Sequence, residues 1–113
     1  MDRLDEAEYE RRAQSELLAL RDALDELDEE SVDAELQSGI LTVEFLDGTR
    51  FVVNSHRAAR QIWMAAGHNA WHFDWSADAG AWHATKTGDE LWTTLAAAIS
   101  KQLGRPVQLS RNG

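Results

Sequence analysis

Apolar positions recur along the first third of the chain at helical spacing. Ala13, Leu17, Leu20, Leu24 and Leu27 follow one another by four, three, four and three residues. That spacing stacks them as one stripe along a helix. From Leu41 the period drops to two. Leu41, Val43 and Phe45 alternate with Thr42 and Glu44, and after Asp47-Gly48 the alternation resumes with Phe51 and Val53. A two-residue loop at 47–48 would place Phe45 opposite Arg50 and mix the two faces. A three-residue loop over Leu46-Asp47-Gly48 pairs Phe45 with Thr49 and Val43 with Phe51, so the pattern predicts a bulged hairpin with Gly48 at positive φ. Three further alternating segments follow. In them Ile62 and Met64, then Trp71, Phe73 and Trp75, then Trp82 and Ala84 point inward, with Gln61, Trp63, His72, Asp74 and His83 outward.

Helical spacing returns at Leu91, Leu95, Ile99 and Leu103. Thr87 and Glu90 stand at capping-box spacing before this helix, and Gly104 and Pro106 end it. Val107-Gln108-Leu109 forms a short apolar tail that tucks against the helices. The order helix, consecutive strands, helix predicts an α+β fold: an antiparallel meander with the N- and C-terminal helices packed on one face, the other face open to water. The 113 residues make one domain, 1–113, with residues 1–7 and 110–113 expected to be frayed.

Composition narrows the chemistry. Cysteine is absent, which excludes disulfides, thiolate metal sites and Cys nucleophiles within the chain. No apolar run approaches the roughly 20 residues of a membrane helix. The acidic start, Met1-Asp2-Arg3-Leu4-Asp5-Glu6, resembles neither a secretory signal nor a transit peptide, so a cytoplasmic protein without membrane contact is expected. Hydrolytic triads, Gly-rich phosphate loops and the His-Glu-x-x-His zinc pattern are all missing.

Charge changes the picture most. The net charge is −9, from 20 acidic and 11 basic residues. Residues 1–35 hold 14 acids and 4 bases, a net of −10, and the remainder holds 6 acids and 7 bases, a net of +1. Nucleic acid is a poor partner for such a surface, whereas cations and basic proteins suit it. Asp22, Asp25, Glu26 and Glu29 project within roughly 60° of one direction on the helix. Asp28 and Glu30 extend this cluster, and Asp33 and Glu35 carry it onto one face of the first strand.

A charge run is usually just a solvated helix face, yet this one is placed where folding gains nothing from it. Acids near a helix C-terminus oppose the macrodipole at about 0.3–1 kcal/mol each. Like charges about 6 Å apart repel by about 0.7 kcal/mol even in water. A bound cation or basic partner relieves both. Carboxylates alone select hard cations such as Fe³⁺, Fe²⁺, Mn²⁺ or Ca²⁺, at weak, multiple, exchangeable surface sites. The candidate metal residues are therefore Asp22, Asp25, Glu26, Asp28, Glu29, Glu30, Asp33 and Glu35.

On the open sheet face the alternation places Asn54, Gln61, Trp63, His72 and Asp74, with His56 at the strand end. An exposed indole ringed by polar groups is how interfaces concentrate binding energy, so Asn54, His56, Gln61, Trp63 and His72 are the candidate partner-binding residues. Trp71, Trp75, Trp82 and Trp92 are expected to fill the core. His72 and His83 occupy neighbouring outward positions, as surface residues or as a pair able to capture a transition metal.

The residues resemble the frataxin family in its bacterial CyaY-type form. The likeness is carried by Ser38-Gly39-Ile40-Leu41-Thr42-Val43, Asp47-Gly48-Thr49, Val53-Asn54 and Gln61-Ile62-Trp63-Met64. It continues through His72-Phe73-Asp74-Trp75, Trp82, and Gly88 ahead of the helix with Leu91. It runs from about Tyr9 to Leu109. Where the family usually reads Asn-x-Gln-x-Pro, this chain has Asn54-Ser55-His56-Arg57-Ala58, so His56 and Ala58 replace Gln and Pro. Arg21-Asp22 stands where the family's first helix often carries adjacent acids.

The resemblance implies a non-enzymatic iron-binding protein that regulates or supplies iron to iron–sulfur cluster assembly. Its partners would be a cysteine desulfurase, docked on the acidic ridge, and a scaffold protein, and a monomer with metal-driven oligomers is expected. Two other readings stay open: a ferroxidase that sequesters iron in an oligomer, and an acidic interaction module with no metal role.

Overall fold

Residues 4–27 and 31–111 of the chain are described in a computed structural model. The first apolar stripe forms helix α1, Glu6–Asp25. Asp5 caps it by accepting a hydrogen bond from the Glu8 backbone N–H at 2.8 Å. The helix thus begins inside the segment expected to be frayed. Its buried side is Tyr9, Ala13, Leu17, Leu20, Ala23 and Leu24, joined by one acid, Glu16.

Six strands follow: β1 Val32–Gln37, β2 Ile40–Phe45, β3 Arg50–His56, β4 Gln61–Ala66, β5 Asn69–Ser76 and β6 Ala81–Ala84. They pair in sequence order as one antiparallel sheet, and helix α2, Leu91–Leu103, closes the chain. The alternation assigned the faces correctly. Leu41, Val43, Phe45, Phe51, Val53, Ile62, Met64, Phe73, Trp82 and Ala84 are all buried toward the helices.

The β2–β3 turn has the expected register, with Val43 opposite Phe51 and the Phe45 N–H donating to Thr49 at 2.9 Å. Gly48 sits at φ 91°, where a side chain would be strained. The β1–β2 loop is a two-residue turn, Ser38-Gly39, with both residues at positive φ (52° and 78°), which matches the sheet's twist.

Two expectations change. Thr87 does not cap α2. Glu90 does, its carboxylate accepting from the backbone N–H groups of Trp92 and Thr93. Thr87 is occupied in the preceding turn, where its hydroxyl bonds Asp89, and Glu90 is still bridged to His83 at the sheet edge. Helical geometry therefore cannot begin before Leu91. The tryptophans also divide: Trp82 (0% exposed) and Trp92 (9%) are core, whereas Trp71 and Trp75 are only partly buried against it. Trp75 lies under the Arg12 guanidinium, 4.3 Å from its ring centre, so a cation covers what the core does not. The tail packs as expected, Val107 and Leu109 against the core and the Val107 N–H on Ser100 Oγ at 2.8 Å.

Among the described residues no helix is long and apolar enough to cross a membrane.

Candidate functional site

Both helices lie on one face of the sheet, so the register lays out the side chains of the other face in rows. One row runs Asp33, Glu44, Arg50, and the next Glu35, Thr42, Val52, Ala65, Ala70. A third runs Gln37, Ile40, Asn54, Trp63, His72, and a fourth His56, Gln61, Asp74, His83. All five expected partner-binding residues therefore fall in two adjacent rows.

Their geometry differs from a lone exposed indole. Trp63 is half-buried because imidazoles cover both of its faces. His56 on β3 stacks at 3.8 Å between ring centres and His72 on β5 at 4.2 Å, each within 11° of parallel. Three rings thus stand in a row across β3, β4 and β5, and only their edges face out. Aromatic pairs of this kind contribute about 0.5–1.5 kcal/mol beyond area burial. The indole N–H donates to Gln61 Oε1 at 2.8 Å, and Gln61 Nε2 donates to Asp74 Oδ1 at 3.2 Å. Asn54, directly opposite Trp63, donates from Nδ2 to the Ser55 carbonyl. The consequence is a wedge with fixed rotamers rather than a platform on which a partner's ring could stack.

A residue that the sequence reading passed over holds this wedge in place. The Tyr9 hydroxyl, reaching from α1, donates to the Gln61 carbonyl at 2.7 Å and accepts from the His56 N–H at 2.9 Å. His56 and Gln61 are register partners at the end of the β3–β4 ladder, so one phenol closes that end. Burial raises the Tyr9 pKa, since a phenolate there would lose its hydration, and the His56 N–H offsets part of that effect. Tyr9 extends the helical stripe by one turn, four residues before Ala13, and that spacing was the available signal.

The acidic residues are arranged around the β1 edge. Asp22, Asp25 and Glu26 are exposed at the end of α1, where Asp25 is the last helical residue, Glu26 is the C-cap, and no base occupies the last turn. Asp22 pairs with its neighbour Arg21 at 3.1 Å, an exposed ion pair of little energetic weight. The helix stops at Asp25, short of the Glu29 that the helical spacing had included. Asp28, Glu29 and Glu30 lie outside the described residues. Asp33 and Glu35 are exposed on β1 and face the open side of the sheet, in the first positions of the two rows next to the Trp63 row.

The tertiary packing therefore places Asp33 and Glu35 on the sheet face that carries the ring stack, while Asp22, Asp25 and Glu26 stand at the end of α1 in the helix layer. Among the described residues, no three His, Asp or Glu side chains converge as one group able to hold a metal ion. His83 is occupied, its Nδ1 2.9 Å from the Gly88 carbonyl oxygen.

Comparison with known proteins bears on this geometry. A family model described as a frataxin-like domain matches residues 2–105. The chain is 38% identical over 90 residues to the iron–sulfur cluster assembly protein CyaY of Tolumonas auensis, covering 80% of this chain and 84% of that protein. The structure is similar to that of the frataxin of Psychromonas ingrahamii, with a TM-score of 0.85 and 28% identity over 96% of this chain and all of the other.

Proposed function

Because the chain belongs to the frataxin family, we propose that it is a non-enzymatic protein of iron–sulfur cluster assembly that regulates the process or supplies its iron. The observation that carries this reading is that the exposed acids of β1 share one sheet face with a preformed aromatic wedge. Asp22, Asp25, Glu26, Asp33 and Glu35, together with Asp28, Glu29 and Glu30, bind iron as cargo and dock on a basic cysteine desulfurase. Asn54, His56, Gln61, Trp63 and His72 contact the scaffold protein. Exposed carboxylates on a helix end and a strand offer Fe²⁺ or Fe³⁺ one or two oxygens at a time, and other hard cations can take their place. That favours several weak sites, suited to an ion that is handed on. The protein works in the cytoplasm, as a monomer that metal can drive into oligomers.

Anaerobic calorimetric titration with Fe²⁺ tests the assignment. Changing Asp22, Asp25, Glu26, Asp33 and Glu35 to their amides is expected to remove most of the binding heat without unfolding the chain, and unchanged binding overturns the ridge assignment. A second reading, docking on acidic residues without a metal role, draws on the lack of a converging carboxylate group among the described residues. Capture of the desulfurase that is unaffected by a chelator supports that second reading.

A further inference from the structure

Strand β1 lies at the edge of the sheet and pairs with β2 alone among the described strands. Its two-residue turn to β2 makes Gln37 and Ile40 a hydrogen-bonded pair, and the bonded pairs then alternate: Gln37, Glu35 and Asp33 turn their backbone groups toward β2. Val32, Ala34 and Leu36 consequently turn their N–H and C=O groups outward; Val32 is buried, so the accessible stretch of this edge is Ala34 and Leu36, which no described strand pairs on that side. Proteins commonly protect such edges with charge, and Asp33 and Glu35 supply it here. Their sign is selective. A second copy paired antiparallel about Ala34 would set Asp33 against Glu35 twice, whereas a basic strand would set cations against both.

The side facing α1 has a different character. A cavity of about 540 Å³ lies between α1 and the Leu36 end of β1, where Ala13, Leu17 and Leu36 share the lining with Glu10, Gln14 and Arg57. An added strand would therefore meet acids on the open face and, on the helix face, the apolar side chains of Ala34 and Leu36 beside the Glu10–Arg57 ion pair.

We propose that the outer edge of β1 is a strand-addition site. An extended partner segment alternating lysine or arginine with apolar residues pairs with Ala34 and Leu36 as a seventh strand, its cations opposite Asp33 and Glu35. This rests on the reading that the ridge docks a basic protein and specifies how the docking is done. Backbone pairing fixes the partner's register, and the two acids, two residues apart on one face, select bases at the same spacing.

The test uses the full chain, isotopically labelled, and a soluble capped hexapeptide alternating lysine with valine or threonine. Amide hydrogen exchange at Ala34 and Leu36 is expected to slow at least tenfold on binding. A peptide of the same charge with a methylated backbone is expected to give no such protection. Ala34→Pro removes an outward donor that the β1–β2 ladder does not use, and should weaken binding at least tenfold. The exchange measurement on the unaltered chain stands even if this variant fails to fold. Peptide binding that perturbs Asp33 and Glu35 without protecting those amides, or that tolerates Ala34→Pro in a folded chain, overturns strand addition and leaves ridge docking standing. Absence of any peptide binding at low salt overturns both. A concentration-dependent dimer protecting the same amides without peptide assigns the edge to a second copy and overturns the basic occupant.

Discussion

Replacing Tyr9 by Phe removes one oxygen atom and tests whether α1 holds the functional face in shape. In the native fold that oxygen makes two hydrogen bonds, to the Gln61 carbonyl at 2.7 Å and from the His56 N–H at 2.9 Å, while the ring packs edge-on to Trp82 at 6.1 Å between centres. The ring contacts survive in Y9F, so the loss is confined to the polar groups. Each bond is worth about 1 kcal/mol net, and a buried donor left without a partner costs about 1–3 kcal/mol. The expected loss is about 2 kcal/mol. For a domain of this size that corresponds to a fall of roughly 8 °C in Tm.

Urea unfolding followed by circular dichroism measures the loss, and the indole N–H resonance of Trp63 reports on the site, because His56 covers one face of the indole. The pH dependence gives an independent check. The Tyr9 pKa is raised in the fold by burial, so its contribution is complete below the ordinary phenol range near 10 and is lost as pH rises through the folded value. The gap between the native chain and Y9F must therefore narrow above pH 10. A loss under about 0.5 kcal/mol, well below the worth of two hydrogen bonds, would refute the tether. So would a gap that widens in alkali.

Three other outcomes follow from the same structure. Glu16 is 6% exposed and accepts from Trp92 Nε1 and from Arg111, tying α1 to α2 and to the tail. Glu16→Ala strands the indole N–H and should cost about 2–4 kcal/mol in chemical denaturation, with no more than a minor effect on Fe²⁺ titration. Gly39→Ala places a Cβ 2.8 Å from Ser55 Oγ at a φ of 78°, and should lower stability by at least about 1 kcal/mol while disturbing β1–β2 amide shifts. The Asp47 carboxylate accepts from the Thr49 N–H, which holds its pKa below the usual carboxylate range, with Gln102 as a further donor. Its support for the β2–β3 turn is present above the ordinary carboxylate pKa and lost as pH falls through the lowered value. Asp47→Asn should therefore flatten that part of the acid-unfolding curve.

Much of the architecture was legible because it follows from local periodicity. The change of spacing from three and four to two marked the helices and strands, and one face of each strand had to be apolar, so register errors would have buried Glu44 or Gln61. The three-residue loop at Leu46-Asp47-Gly48 was fixed by the same parity. The α2 cap was misread because Thr87 and Glu90 have capping-box spacing in the chain, while the His83–Glu90 bridge that delays the helix joins residues from separate elements. The ring stack was half legible. Alternation put Trp63, His72 and His56 outward, but a lone sequence gives the face of a side chain and not its neighbours across three strands.

The linear order of residues determined the fold class, the apolar faces and the acidity of residues 1–35, because each depends on residue type and short-range spacing. Only the tertiary structure decided that Asp33 and Glu35 share a sheet face with Trp63, and that Tyr9 in the first helix closes a ladder 47 and 52 residues away. Those relations depend on which strands are neighbours and where a helix crosses them. That is set by burying the whole core at once rather than by any single segment.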